Sequence, residues 1–232
     1  MEELYVWLRF LHIICGTCAL ASGTFSILNK KGSMFHRITG NVFVFALLIT
    51  AFSAIIVTQI PGHENMFLMI IGVFSAYLAS SGYRALFIKR YNPNPEVKVI
   101  DWFITALMGI FSLYFFVYGL KVYFLNHNVM GVMAIIFGLI ACFLVFSDYK
   151  TFTTEPKTRH FWLFRHIIRM VSGVIATYTA FLVVNNTYLP PLVAWLAPTV
   201  IGTFVIFGFI RYYKTKFNKG EHARDILIVK IN

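Results

Sequence analysis

The chain has 232 residues, of which 59% are hydrophobic, 18% aromatic and only 12% charged. Soluble domains have about a quarter of their residues charged, so this composition, with a mean hydropathy of +0.74, excludes an ordinary soluble protein. The net charge of +11 would suggest a nucleic-acid partner in a soluble protein, but the placement of the charges gives another explanation.

Long apolar segments dominate the chain. A membrane-spanning helix needs about 20 mostly apolar residues. The sequence therefore predicts an all-α polytopic membrane protein with seven transmembrane helices in one bundle. In chain order the predicted spans are residues 4–28, 36–60, 66–89, 99–122, 128–148, 162–185 and 190–213. Residues 1–213 would form a single transmembrane domain, followed by a basic tail at 214–232. We expect the first span to be retained, because no basic segment precedes it as in a signal peptide.

The basic residues predict which side of the membrane each end faces. With seven spans the connections alternate between two sides, and every Lys and Arg except Arg9 and Lys121 falls on one side. Basic residues are retained in the cytoplasm, so the N-terminus is predicted outside and the C-terminal tail inside. The positive charge is thus explained by topology and by attraction to anionic lipid, and no nucleic-acid partner is expected.

His12, in the stretch LHIICGTCALASG, is the first candidate site residue. It lies roughly 12 Å into its span at about 1.5 Å per residue. An ionisable side chain at that depth is costly and by default indicates function. Gly16, Ala19 and Gly23 share its face, which allows a helix or a flat ligand to approach closely. The alternative interpretation is a neutral histidine that only hydrogen-bonds a neighbouring helix.

The second span opens with His36 and Arg37, and Gly40 follows one turn later on the face of His36. Two interpretations stay open at this position. The pair either extends to the lipid headgroups at the membrane edge or forms part of a binding site.

The sixth span carries His166 and Arg169, which lie three residues apart and share a helix face. An arginine a full turn inside a span usually needs an anionic partner. The candidates are Asp101, Asp148, a ligand carboxylate or a lipid phosphate. Gly173 continues the face of His166 two turns further on.

Depth restricts which histidines can act together. His36 and His166 both lie near the cytoplasmic face, whereas His12 is roughly 24 Å away along the membrane normal at about 1.5 Å per residue. Two imidazoles from different helices, with glycines and an arginine nearby, are typical of a bis-histidine haem b site in a bundle. The sequence predicts that His36 and His166 bind haem b or another metal group, with Arg169 or Arg37 near the propionates. A quinone or a membrane redox partner would then exchange electrons with it. His160 is the alternative inner partner of His36, and an outer pair would combine His12 with His63 or His127.

Two other classes of function stay open. The histidines and arginines could only tie helices together in an accessory subunit or a small-molecule transporter, the latter resting on a predicted helix break at Pro198 and Gly202. A zinc-dependent membrane hydrolase would use the inner histidines with Asp101 or Asp148. Whether the protein is an enzyme is left open by the sequence.

The segment LHIICGTCALASGTFSILNKKGSMFHRITGNVFVF resembles an uncharacterised family of bacterial multi-pass membrane proteins with a domain of unknown function. The shared features are a histidine in the first helix, the small-residue ALASG stretch and a basic loop leading into HRITG. RHFWLFRHIIRMVSGVIATYTAFLVVN is similar to the family's other marked segment. The resemblance, over residues 5 to about 190, implies about seven helices in a bacterial inner membrane and no established activity. The histidine layout is also loosely similar to transmembrane b-type cytochromes.

Overall fold

The protein is described by a computed structural model that covers residues 1–88, 97–128, 130–154, 158 and 160–219. Within these residues there is no strand, and all seven long helices are long and apolar enough to cross a membrane. The helices are α1 (Glu2–Leu28), α2 (Met34–Val57), α3 (Met66–Arg84), α4 (Val99–Phe124), α5 (Gly131–Thr153), α6 (Phe161–Asn185) and α7 (Pro191–Asn218). A 3-10 turn, Ala85–Phe87, continues α3. The prediction of an all-α chain with seven spans is confirmed.

Several helix boundaries differ from the predicted ones. Helix α2 ends at Val57, three residues early, whereas α5 continues to Thr153 and α7 to Asn218, five residues beyond the predicted ends. Asp148 does not mark the end of α5, because its side chain is fully buried inside the bundle. Residue 89 of the predicted third span and residues 220–232 of the predicted tail lie outside the described residues.

The predicted break in the seventh span is wrong. Helix α7 is continuous through Pro198. Proline is tolerated within transmembrane helices when neighbouring groups and local adjustments satisfy the freed backbone carbonyl. The broken-helix argument for a transporter therefore has no support in this helix.

Side-chain caps define where several helices begin. The Ser33 hydroxyl accepts a hydrogen bond from the His36 amide at 3.2 Å at the start of α2. The Asn65 amide oxygen accepts one from the Leu68 amide at 3.1 Å at the start of α3. Such caps satisfy amides that have no partner within the helix, which matters where the helix enters an apolar medium. The cap at Ser33 fixes the turn that carries His36.

Helix α3 is the centre of the bundle. In its most apolar window 61% of the residues are buried, against 17% for α1 and for α7. One core cluster joins α3 with α4 and α5 around Leu78, Phe115 and Met133. A second joins α1, α2 and α6 around Phe43 and Val174. Helices α1 and α7 therefore present most of their apolar surface to the surroundings.

The short connections make consecutive helices antiparallel, so both ends of the bundle can be defined. At one end the C-termini of α1, α3, α5 and α7 lie beside the N-termini of α2, α4 and α6. We call this the basic end, because nearly all Lys and Arg residues of the described part of the chain fall there. Hydrogen bonds between residue pairs such as Arg84 and Asp101 connect neighbouring helices at this end.

Candidate functional site

A tight turn between α1 and α2 positions His36. Gly32 has φ of +78°, a conformation that favours glycine, and the Ser33 cap follows immediately. This geometry brings the first turn of α2 back against the end of α1. Nδ1 of His36 then lies 2.9 Å from the Ser26 carbonyl oxygen and 3.1 Å from the Ser26 hydroxyl.

Nδ1 of His36 must carry the ring proton, because a carbonyl oxygen can only accept a hydrogen bond. The neutral imidazole then has its lone pair on Nε2. A histidine that donates its other N–H to a backbone carbonyl has the orientation found in metal-binding histidines. The contact with Ser26 also ties α2 to α1.

His166 repeats this arrangement from a different pair of helices. Its Nδ1 lies 2.9 Å from the carbonyl oxygen of Gly82 at the end of α3. Helices α3 and α6 approach closely here, since a Cβ built on Gly82 would lie 2.9 Å from the Cβ of Arg169. Only a residue without a side chain allows this approach, which keeps the Gly82 carbonyl within reach of His166.

Both histidines line one cavity of about 210 Å³ at the basic end, which we call the basic-end cavity. Its polar lining also contains Lys31 and Arg37, while apolar side chains such as Met170 and Phe209 form its walls. The structure therefore brings His36, His166 and Arg37 to one cavity, and their binding of a cofactor stays a prediction. The cavity combines two imidazoles, two basic side chains and an apolar wall.

Lys31 is the cation held most firmly at this cavity. Its ammonium group donates to the carbonyl oxygens of Ser26 at 3.0 Å, Asn29 at 3.2 Å and Ile27. It thereby caps the C-terminus of α1, where a positive charge is favourable. The same ammonium lies 5.0 Å from the centre of the Phe209 ring on α7. Lys31 is not predicted from the sequence as a site residue, because a lysine in a loop gives no signal of burial.

Lys31 gives a testable pH dependence. Burial lowers the pKa of Lys31 from 10.5 to about 8. Between pH 8 and 10.5 the Lys31 side chain is protonated in the unfolded chain and neutral in the folded chain. The free energy of unfolding therefore rises with pH across this window, and the gain is lost as the pH falls back to about 8. The melting temperature of wild type relative to Lys31→Gln should therefore increase from pH 8 to 10.5. The exposed Lys30→Gln is the control, and equal pH profiles for the two variants would contradict the prediction.

Arg169 does not line the basic-end cavity. It extends to the other side of α6, where one amino group contacts Asp148 and the Leu144 carbonyl oxygen at 2.8 Å, both on α5. Of the partners considered for it, Asp148 is the one found. The predicted role of Arg169 beside a cofactor in the cavity is therefore not supported by its position.

Asp148 lies at the centre of a buried polar cluster that joins four helices. Its carboxylate also accepts hydrogen bonds from Tyr77 at 2.8 Å and Thr105 at 3.3 Å, and lies 3.2 Å from Arg165. Two guanidinium groups thus share one carboxylate, and among the described residues Nε and Nη1 of Arg165 and Nη1 of Arg169 have no hydrogen-bond partner. The cluster holds a surplus positive charge in the interior.

The other buried carboxylate, that of Asp101, also forms an ion pair with an arginine. Asp101 accepts two hydrogen bonds from Arg84, at 2.8 and 2.7 Å, and one from the Lys98 amide at 2.9 Å. Among the described residues no group of three or more His, Cys, Asp or Glu side chains is placed to hold a metal ion. The zinc-hydrolase alternative therefore lacks a three-ligand site in this part of the chain.

His12 lies at a different depth and on a different cavity. Its Nδ1 is 3.0 Å from the Thr50 carbonyl oxygen and 3.1 Å from the Ser53 hydroxyl on α2. His63, considered as a partner, instead stacks on Tyr5 with 3.5 Å between ring centres. The structure thus separates His12 from the histidines of the basic-end cavity.

Comparisons with known proteins give no match, whether to protein-family models, to curated proteins or to solved structures. The class of protein is therefore defined by the fold alone. It is an all-helical bundle with seven helices long and apolar enough to cross a membrane. The resemblance to the bacterial multi-pass family stays a prediction.

Proposed function

We propose that the protein binds haem b at the basic-end cavity, with His36 and His166 as the iron ligands, and acts in membrane electron transfer. The observation that carries the proposal is the pairing of these two residues. They come from α2 and α6, line one cavity, and each donates its Nδ1–H to a backbone carbonyl of another helix. In this tautomer Nε2 carries the lone pair that a metal requires.

The other residues that line the basic-end cavity suit the chemistry of haem. Lys31 and Arg37 supply positive charge where carboxylates of a ligand would lie, and Gly40 leaves space on the face of His36. Burial of Lys31 makes a nearby anion favourable, because the anion would offset the cost of its desolvated charge. The volume of about 210 Å³ is below the roughly 300–1,000 Å³ of pockets that enclose a whole ligand. A haem ring would therefore not be enclosed by the cavity and would extend past the exposed lining residues Arg37 and Asn41.

When bound, haem would accept and release single electrons within the membrane. The chain's own contribution would be to hold the ring between two helices, balance its carboxylates and exclude water with the apolar wall. We place the basic end in the cytoplasm and the protein in a bacterial inner membrane. Support for this comes from the one-sided placement of Lys and Arg and from the family resemblance.

The test is a reduced-minus-oxidised visible spectrum of protein purified in detergent after expression with ample haem. We expect a sharp α-band at the b-type position that is lost in His36→Ala and His166→Ala. His160→Ala is the matched control, since His160 lies at the same end but stacks on Phe217 with 3.7 Å between ring centres. In His36→Met the band should be retained with a raised reduction potential, because Met can also bind the iron.

A flat wild-type spectrum would overturn the proposal, and so would a band that persists in both alanine variants. Monodisperse elution of each variant separates loss of the ligand from loss of the fold. The potential of His36→Met adds a readout that a purely structural histidine would not change.

A second candidate is a non-enzymatic membrane protein, such as an accessory subunit, whose polar residues only join helices. One observation favours it: His12, His36 and His166 each donate to a carbonyl of a neighbouring helix. Hydrogen bonds of this kind stabilise membrane bundles without any ligand. It predicts a colourless protein, so the same spectrum distinguishes the two functions.

A further inference from the structure

A second cavity of about 450 Å³ lies between α1, α2, α3, α6 and α7, towards the end opposite the basic end. Its volume falls within the roughly 300–1,000 Å³ range of small-molecule sites. Phe67, Phe181 and Trp195 contribute aromatic walls, and none of the described residues that line it is charged. We call it the His12 cavity. Its lining favours a neutral, apolar ligand over an anionic lipid.

Two buried or half-buried polar groups face this apolar lining. Because Nδ1 of His12 donates to the Thr50 carbonyl, Nε2 has the lone pair, and no described residue donates to it. Ser75 is 3% exposed and its side chain lines the cavity. The hydroxyls of Thr50 and Thr177 donate to carbonyls of their own helices. The cavity therefore offers one fixed acceptor and one hydroxyl to a ligand.

The cavity is open to the surroundings of the helices. Three of its lining residues are strongly exposed: Ile13 at 54%, Phe181 at 56% and Val184 at 80%. They belong to α1 and α6, which contact each other nearer the basic end through the Thr24–Tyr178 hydrogen bond of 2.7 Å. In a membrane this opening faces the acyl chains. A lipid-soluble ligand can enter it without passing through water.

A single layer of side chains separates the two cavities. Phe43 lines the basic-end cavity and Leu47, one helical turn away on α2, lines the His12 cavity. One turn corresponds to about 6 Å along the helix. Gly173 packs against both side chains from α6, with a built Cβ 3.4 Å from each. A ligand in the His12 cavity would therefore lie close to any group held by His36 and His166.

We propose that the His12 cavity binds a membrane-soluble hydroquinone, whose ring hydroxyl donates to Nε2 of His12 and whose second oxygen hydrogen-bonds Ser75. The choice of a redox-active ring over another lipid-soluble alcohol rests on the proposed haem site one layer away. An aromatic ring with polar oxygens fits the aromatic walls and the two polar groups. The absence of charged groups in the described lining matches a neutral ligand.

The test is a calorimetric titration of the full chain in detergent with tetramethylhydroquinone, and with its dimethyl ether as a ligand that cannot donate. We expect saturable hydroquinone binding that His12→Phe weakens about tenfold, the loss of one buried hydrogen bond. Gly16→Leu should block binding by filling the cavity while His12 stays intact. Thr17→Val is the control, since this lining hydroxyl already donates to the Ile13 carbonyl.

Binding that is unchanged in both His12→Phe and Gly16→Leu would overturn the inference, as would equal binding of the dimethyl ether. Absence of saturable binding to the wild type would overturn it as well. The spectrum of the same samples reports on haem separately. Haem without hydroquinone binding contradicts only this inference, whereas hydroquinone binding without haem contradicts only the proposed function.

Discussion

Asp148→Asn is expected to prevent the recovery of stably folded protein. The change leaves the guanidinium groups of Arg165 and Arg169 in the interior with no carboxylate, although Arg165 is only 9% and Arg169 only 2% exposed. Breaking a buried ion pair by removing one partner costs about 3–5 kcal/mol, because the remaining charge is uncompensated. The measurement is the yield of monodisperse protein in detergent and its melting temperature, both of which should fall sharply.

Two matched variants separate this effect from a general loss of polarity. Arg165→Met removes the surplus charge and two of the three unpartnered arginine nitrogens among the described residues, leaving one guanidinium for one carboxylate. It should be milder than Arg169→Met, which removes the amino group that contacts both Asp148 and the Leu144 carbonyl. The proposed role of the cluster would be contradicted if Asp148→Asn had the yield and melting temperature of the wild type. It would also be contradicted if Arg165→Met lowered these two quantities more than Arg169→Met does.

The spans could be predicted from the sequence because the membrane imposes one strong requirement on every helix. Only long apolar segments can cross it, and the chain divides into such segments with short polar connections. The error at the end of α5 shows the limit of that rule. Asp148 looked like a boundary, yet the helix continues to Thr153 because two arginines on α6 compensate the charge inside the bundle.

The candidate site could be predicted in part. Counting residues along each span placed His36 and His166 at one depth, and they do line one cavity. The rotation of a helix about its own axis decides which side chains face a cavity. This rotation is set by packing against neighbouring helices, and hydropathy does not reveal it. Arg169 therefore turned out to contact Asp148 on α5, on the side of α6 away from the cavity. Tyr77, which donates to Asp148 from α3, gave no signal in the sequence for the same reason.

The polar residues of the bundle have two distinct arrangements. Arg84 pairs with Asp101, and Arg165 and Arg169 share Asp148, so these arginines can join helices without any ligand. The histidines differ, since each uses Nδ1 for a tie and lies on a cavity with its lone pair on Nε2. A hydrogen bond that only joins two helices does not require a cavity beside the histidine. The histidines are therefore the candidates for ligand binding, whereas the arginine cluster contributes to stability.

Gly119→Ala is expected to separate α4 from α5 and to lower the melting temperature strongly. A Cβ at this position would lie 2.7 Å from the Ile135 amide nitrogen and 2.8 Å from the Gly131 carbonyl oxygen. Both contacts are with backbone, which cannot move aside as a flexible side chain does. Overpacking of this kind costs about 1–3 kcal/mol or more, and in a membrane no hydrophobic effect drives the helices back together.

Gly208→Ala is the matched control, because a Cβ at this position in α7 meets nothing within 4 Å. Alanine favours a helix over glycine by about 0.5–1 kcal/mol, so this variant should melt at the same or a higher temperature than the wild type. The two substitutions are chemically identical and are expected to act in opposite directions. Equal melting temperatures would show that α4 and α5 do not approach at Gly119 as described, and would remove the close backbone contact from the account of this bundle.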